Sequence, residues 1–376
     1  MWTIAIKAML GDRAKLIATL LGVAFSVILV NLQAGLLLGL LRKTALLVSH
    51  GEADIWVGHR SMTNIDIMAP VPERWINRLR TVEGVERVEP YLILFAPMQM
   101  PDGRLEYVMV VGCDAASMLG NAWVMADGRP DAIRGPEAIL VDVNDYERLG
   151  RPQIGDVREI NSQRARIVGT TRGIVGLSTN PYVFTTFDRA RTRYRGGFPA
   201  GYVSYFLVKL RPGVDRATAL RAIKDRAPEL AACEKDSFAW TCMEYWLTRT
   251  GIGISFGLAA SLGLLVGLAV VAQTLHASVN ERVKEFATLK ALGADDHCVA
   301  RFLVAQALGS AGIGSIVGLL VTVGLAWAIN SPRAPVVLTW TGAAVSVLLV
   351  TAVCAVAAWL PYRRVRGIDP ASVLRG

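Results

Sequence analysis

The chain has 376 residues, 53% of them hydrophobic, with a mean hydropathy of +0.39 and a formal net charge of +9. This composition excludes an ordinary soluble globular protein, because the apolar residues are gathered into long uncharged runs. The basic excess suits the anionic head groups of a lipid membrane and does not require a nucleic-acid partner.

Residues 1–15 are expected to form a short interfacial helix on the cytoplasmic surface, since their apolar residues are interrupted by Lys7 and followed by Asp12 and Arg13. The alternative is that this segment extends the first span. Four uncharged runs follow, each longer than the roughly 20 residues that a helix needs to cross a bilayer. We therefore predict four transmembrane helices, TM1 to TM4, at residues 16–41, 250–280, 302–330 and 334–362. TM1 is expected to be a retained anchor, because its apolar run is too long for a cleaved signal peptide.

The predicted spans contain few polar side chains and several glycines. Asn31 and Gln33 in TM1 are expected to hydrogen-bond to other helices or to face water, with a substrate contact as the alternative. Glycines at small-xxx-small spacing in TM2 and TM3 favour close helix packing; they are Gly253, Gly257, Gly263, Gly267, Gly309, Gly314 and Gly318.

Residues 42–249 are predicted to form a large extracytoplasmic α+β domain with its own core. Its two ends, residues 50–114 and 200–235, indicate a single α+β unit. Residues 115–199 are predicted as an inserted, mostly-β lobe, because Gly and Pro turns separate short β-type runs there. Within residues 71–100, a helix that starts at a proline, a Gly turn and a strand are predicted in that order. Further strands are predicted at residues 53–57, 106–111, 138–141, 165–170, 182–185 and 202–210, and a second helix at residues 216–226.

Two cysteines near the end of this domain, Cys233 and Cys242, are a candidate disulfide if the domain lies in the periplasm. The alternative is a pair of unpaired thiols. The cysteines and histidines show no zinc-ligand spacing, so the sequence predicts no metal site.

Residues 281–301 form a charged segment between TM2 and TM3, and they must leave the membrane because each charge costs roughly 2.5–3.5 kcal/mol at the bilayer centre. The spacing of Val283, Phe286 and Leu289 predicts a helix there, which Gly293 would end. The segment is either a solvated connector or a docking helix for a soluble partner. Its candidate docking residues are Glu281, Arg282, Glu285, Phe286, Leu289, Lys290 and Gly293.

The C-terminal residues 363–376 are predicted to be an interfacial cytoplasmic tail, in which Arg363, Arg364 and Arg366 are a second candidate contact for the same partner. Basic residues are concentrated at both termini and in residues 281–301, so we predict that all three lie in the cytoplasm.

Motifs for catalysis and for ion coupling are absent from the sequence. It contains no P-loop and no H-E-x-x-H or G-x-S-x-G motif, so we expect no catalytic activity and no bound cofactor in this chain. Because acidic groups are also scarce within the spans, we expect any energy for transport to come from another chain.

The connector and the tail carry a resemblance to a known family. Glu281-Arg282-x-x-Glu285, followed by Leu289-Lys290-x-x-Gly293, resembles the helix after the second span of MacB/FtsX-type ABC transporter permeases. The tail, with Pro361-x-x-Arg364 and then Asp369-Pro370, is similar to that family's ending. Within the family, the stretch ADIWVGHRSMTNID at residues 53–66 resembles the DevC-like group.

The resemblance implies a homodimeric permease in the bacterial inner membrane. A separate ATP-binding subunit would bind ATP and Mg and dock on residues 281–301, since this chain carries no fused ATPase. Residues 50–114 and 200–235 would form a porter-like lobe. The resemblance to DevC-like proteins implies export of a lipidic or hydrophobic substrate with a periplasmic membrane-fusion protein and an outer-membrane channel.

Two other functions fit the same resemblance. One is that of an FtsX-like transmembrane regulator of a cell-wall hydrolase, and the other is that of a lipoprotein-releasing permease. The identity of the extracytoplasmic partner would distinguish regulation from export.

Overall fold

The computed structural model describes residues 13–177, 180–281, 283, 288 and 296–366, with the backbone alone described at 296–300, 360–361 and 363–366. Two compact units are present. One combines Met1–Gly39 with Gly251–Gly376, and the other is Leu40–Thr250. We call them the helical unit and the α+β unit.

The helices are, in chain order, α1 (Arg13–Thr44), α2 (Leu46–His50), α3 (Trp75–Arg80), α4 (Phe187–Arg189), α5 (Arg216–Arg226), α6 (Lys235–Thr248), α7 (Ile252–Glu281), α8 (Asp296–Ile329) and α9 (Trp340–Arg366). The strands are β1 (Ile55–His59), β2 (Val71–Pro72), β3 (Val85–Gln99), β4 (Leu105–Cys113), β5 (Met125–Asp127), β6 (Ala138–Asp142), β7 (Val157–Ile160), β8 (Gln163–Thr171), β9 (Tyr182–Thr186), β10 (Tyr202–Val203), β11 (Tyr205–Leu210) and β12 (Leu230–Glu234).

Helices α1, α7, α8 and α9 correspond to TM1 to TM4, and all four are long and apolar enough to cross a membrane. The predicted combination of four spans with a large α+β unit is therefore confirmed. TM4 was placed too early, because α9 begins at Trp340 rather than at residue 334. The Thr339 hydroxyl accepts a hydrogen bond from the backbone N–H of Gly342 at 3.1 Å and caps the start of α9.

The α+β unit is built on a mixed sheet with the strand order β12-β1-β11-β3-β4-β9-β6-β8-β5, in which β7 pairs with β3 and β8. Side chains alternate between the two faces of each strand. In β1, Ile55 and Val57 join one core with Leu79 of α3, while Trp56 joins the other core with Phe238 of α6. The sheet therefore has two buried faces, which helices cover.

Residues 115–199, the predicted inserted lobe, supply strands β5 to β9. These strands extend the same sheet, because β4 pairs in parallel with β9 along Met109–Cys113. The predicted strands at residues 138–141, 165–170 and 182–185 correspond to β6, β8 and β9. Helix α5 has the predicted bounds and is capped by Asp215, whose carboxylate accepts a hydrogen bond from Thr218 N.

The strand predicted at residues 202–210 is split in the structure. Its first two residues form β10, which pairs with β2 in a separate two-stranded sheet, and β11 begins at Tyr205. Between them, the Ser204 hydroxyl donates to the carbonyl of Ile93 at 2.8 Å and accepts from its N–H at 2.9 Å. The Ser204 side chain therefore makes the hydrogen bonds to β3 at this residue, and the backbone can turn between β10 and β11.

Asp142 closes the end of β6 with a network of hydrogen bonds. It is 1% exposed. Its carboxylate accepts from the Thr171 hydroxyl at 2.8 Å and from the backbone N–H groups of Asn144 at 2.9 Å, Gly173 at 3.3 Å and Ile174 at 2.8 Å. The Asn144 side-chain amide also donates to it at 2.6 Å. A buried carboxylate is tolerated here because these five donors replace its water shell.

Candidate functional site

Helix α1 contacts α7 through small residues. The Ser26 hydroxyl donates to the carbonyl of Gly263 in α7 at 2.8 Å. A Cβ atom added at Gly263 would lie 2.5 Å from Leu29, and one added at Gly267 would overlap the Ser26 hydroxyl. The backbones of α1 and α7 therefore approach closely, which is how helices associate where water supplies no hydrophobic driving force.

The same helix packs against α8 and α9. A Cβ atom at Gly314 would lie 2.6 Å from Val23, and one at Gly318 would lie 2.8 Å from Val27. Asn31 donates to the Ser346 hydroxyl of α9 at 2.7 Å. Close packing is confirmed at Gly263, Gly267, Gly314 and Gly318, and a hydrogen bond between helices is confirmed at Asn31. Gly257, in contrast, faces open space.

The start of the candidate docking segment is tied to α1. Glu281 is the last residue of α7, and its carboxylate forms an ion pair with Lys15 in the first turns of α1. The Glu281 side chain is 63% exposed. Such a pair contributes at most about 1 kcal/mol, so it orients the two helix ends more than it stabilises them.

The other predicted docking residues lie outside the described part of the structure. They are Arg282, Glu285, Phe286, Leu289, Lys290 and Gly293. The tail residues Arg363, Arg364 and Arg366 belong to the last turns of α9, where only the backbone is described. The predicted interfacial helix at residues 1–15 lies almost wholly within the undescribed residues 1–12.

Cys233 and Cys242 are both free thiols in the structure, so the candidate disulfide is not formed there. Cys233 lies on β12 opposite Trp56, and Cys242 is fully buried on α6. Both pack into the same apolar core, and burial raises the pKa of the Cys242 thiol to about 12. A thiol that stays protonated is a poor nucleophile for disulfide exchange.

Asp66 is a buried carboxyl group of the α+β unit and lies in the loop between β1 and β2. It is 9% exposed; Oδ1 accepts a 3.4 Å bond from the Tyr182 hydroxyl, and Oδ2 is without a partner among the described residues. Burial raises the pKa of Asp66 to about 6, and the bond from Tyr182 lowers it in part. Tyr205 fixes this loop by donating to the carbonyl of Asn64 at 3.1 Å.

The elevated pKa of Asp66 predicts a stability that falls as the pH rises. Between the usual pKa of 3.8 and about 6, the folded state binds more protons than the unfolded state, so unfolding becomes easier across that window. At neutral pH, ionisation of Asp66 should lower the free energy of unfolding by about 3 kcal/mol, because each unit of pKa shift corresponds to about 1.4 kcal/mol. We expect Asp66→Asn to raise the melting temperature of the detergent-solubilised protein at pH 7.5 and to have little effect at pH 4.

The matched control is Asp102→Asn in the same unit. A hydrogen bond from the Arg104 side chain lowers the pKa of Asp102, so removing its charge should not stabilise the protein at pH 7.5. Equal melting curves for wild type and Asp66→Asn at both pH values would contradict an elevated pKa at Asp66.

The sequence matches two family models. The model described as a MacB-like periplasmic core domain matches residues 16–226, which is more than half of the chain. The model described as an FtsX-like permease C-terminal domain matches residues 257–370. The chain belongs to the MacB/FtsX-type permeases. The FtsX-like match includes α8, α9 and most of α7, and thus contains the candidate docking segment of this permease.

One curated relative is an uncharacterized ABC transporter permease of Methanocaldococcus jannaschii, which is 25% identical over 236 residues. The alignment includes 60% of this permease and spans 58% of the relative's length, which is less than two thirds.

Three solved structures are similar to part of the permease. The periplasmic region of MacB from Actinobacillus actinomycetemcomitans is 12% identical, with a TM-score of 0.39 over 51% of this chain and 92% of that one. The extracellular domain of YknZ from Gram-positive bacteria is 14% identical, with a TM-score of 0.35 over 48% of this chain and 98% of that one. A domain of a putative permease from Porphyromonas gingivalis is 14% identical, with a TM-score of 0.33 over 48% of this chain and 88% of that one.

Sequence reasoning missed two residues of interest in this permease. Lys15 is one of several basic residues near the N-terminus, and its partner Glu281 lies 266 positions later in the chain. Asp66 lies in a polar stretch, SMTNID, that gives no sign of burial. Both the ion pair of Lys15 and the burial of Asp66 depend on residues that are far away in the sequence.

Proposed function

We propose that this chain is the membrane-spanning subunit of an ABC transporter that exports a lipidic or hydrophobic substrate. A separate ATP-binding subunit, which holds ATP and Mg, docks on residues 281–301 from the cytoplasm. Its cycle moves the helices and, through them, the α+β unit on the extracytoplasmic side. A second copy of the chain, a membrane-fusion protein and an outer-membrane channel complete the assembly in the bacterial inner membrane.

The observation that supports this proposal best is the ion pair between Glu281 and Lys15. Glu281 is at once the end of α7 and the first residue of the candidate docking segment. A force applied to that segment would therefore reach α7 directly and α1 through Lys15. Helix α1 in turn contacts α8 and α9, so the four helices can respond together.

The proposal is tested by reversing one charge on the docking segment. We expect Glu285→Arg to leave membrane insertion unchanged and to reduce co-purification of the ATP-binding subunit at least about tenfold, because a loss of about 1.4 kcal/mol at the interface has that effect. The measurement is quantitative affinity purification from membranes, followed by ATPase assay of the complex.

The matched control is Glu229→Arg, the same charge reversal at an exposed position of the α+β unit. It should leave co-purification unchanged, because the proposal places it on the opposite side of the membrane. Labelling of Phe286→Cys and Glu229→Cys with an impermeant reagent in spheroplasts checks that placement, and labelling of both positions would contradict it. A co-purified membrane-fusion protein supports export, whereas a cell-wall hydrolase in its place would assign the chain to regulation.

A further inference from the structure

The connection between α8 and α9 lies against α1 as an extended strap, which we define as residues 335–338. A backbone hydrogen bond holds it there. The N–H of Val337 donates to the carbonyl of Gly35 in α1 at 3.0 Å. Side chains of the strap also pack against Gly35. A Cβ atom added at Gly35 would lie 3.0 Å from the Val336 side chain and 3.2 Å from the Leu338 side chain.

Gly39, one helical turn further along α1, completes a notch for the strap. A Cβ atom at Gly39 would overlap the carbonyl oxygen of Pro335, so only glycine allows the strap to lie this close. Gly35 and Gly39 are both buried. Their i, i+4 spacing places them on one face of α1. The notch is therefore shaped by two glycines for one extended segment of the same chain.

Both ends of the strap are anchored to the neighbouring helices. Just after α8, the side-chain oxygen of Asn330 accepts a hydrogen bond from the N–H of Val336 at 3.0 Å. At the other end, Thr339 caps α9 through Gly342. The strap thus links α8, α1 and α9, and sliding of α1 against α8 and α9 would break its contacts with α1.

The notch occupies a special place along α1. Gly39 is the last residue of the first segment of the helical unit, and the chain enters the α+β unit at Leu40. Any displacement of α1 that reaches the α+β unit along the chain must pass this turn. Contact of the strap with Gly35 and Gly39 therefore couples this turn of α1 to the movement of α8 and α9.

We propose that Gly35, Gly39 and Asn330 are positioning residues that clamp the strap to α1, so that movement of α8 and α9 is passed to the α+β unit. The proposal rests on the proposed function, in which an ATP-binding subunit moves the helices. It assigns to the link between TM3 and TM4 a mechanical role in the transport cycle.

The test compares Gly39→Ala and Asn330→Ala with wild type in the full complex with its ATP-binding subunit. Gly39→Ala pushes the strap off α1, and Asn330→Ala releases its other end without changing α1. The controls are Gly257→Ala and Gly324→Ala, at glycines of α7 and α8 that face open space. Hydrogen exchange of residues 335–338 reports whether the strap is seated, and a dye at Glu229→Cys reports the ATP-dependent response of the α+β unit.

We expect both variants to bind the ATP-binding subunit and hydrolyse ATP, to lose exchange protection in the strap, and to reduce the dye response at least about fivefold. Both controls should match wild type. If either variant has an exposed strap and a wild-type dye response, the clamp is overturned while the proposed function stands. If wild type itself binds no ATP-binding subunit, the proposed function fails and the clamp fails with it.

Discussion

Gly267→Val should separate α1 from α7 and destabilise the helical unit by about 3 kcal/mol, at the upper end of the usual cost of overpacking. A Cβ atom at this position overlaps the Ser26 hydroxyl, which also donates to the carbonyls of Gly22 and Gly263. Rotating the Ser26 hydroxyl away would break its bond to Gly263, and the Ser26 Cβ atom would still lie 3.0 Å from the new Cβ atom. A thermal denaturation series in detergent, followed by size-exclusion chromatography, measures the loss.

Gly257→Val is the matched control, because it adds the same side chain to the same helix where nothing lies within 4 Å of the new Cβ atom. It should denature like wild type. If the two variants were equally stable, close packing of α1 on α7 would not contribute to the stability of the protein.

A second large effect is expected at the end of β6. Asp142→Ala removes the acceptor for the N–H groups of Asn144, Gly173 and Ile174, and for the hydroxyl of Thr171. Each buried donor that loses its partner costs about 1–3 kcal/mol, so the α+β unit should lose at least about 3 kcal/mol. Its melting temperature should fall by about 6–12 °C, since 1 kcal/mol shifts a domain of this size by about 2–4 °C.

Asp127→Ala provides the comparison, because this exposed carboxylate accepts a local hydrogen bond from Gly128 N and no other from the described residues. It should change the melting temperature by no more than about 1–2 °C, as is usual for a surface substitution. A similar melting temperature for Asp142→Ala and wild type would mean that water replaces the lost acceptor.

The sequence predicts the spans well because charge and length alone decide which segments can cross a membrane. It places the start of the fourth helix wrongly because hydropathy does not distinguish an apolar helix from an apolar extended segment. Residues 334–339 are uncharged and look like part of a span, yet Val337 hydrogen-bonds to Gly35 instead of joining α9. That contact joins residues about 300 positions apart, and no local pattern reveals it.

In the α+β unit, the sequence predicts the elements that local signals mark and misses those that depend on distant contacts. Helix α5 is predicted at its observed bounds, since the Pro212-Gly213 turn and the Asp215 cap mark its start. The break at Ser204 is missed because its cause is a side-chain bond to Ile93 on another strand. Strand β12 and helix α6 are missed because residues 230–248 lack a regular apolar period.

The parallel pairing of β4 with β9 bears on the elasticity of the α+β unit. A lateral ladder of hydrogen bonds joins the strands of residues 115–199 to those of the surrounding chain. Separating those strands from their neighbours would break several bonds at once, so we expect the whole sheet to move as one stiff body under load.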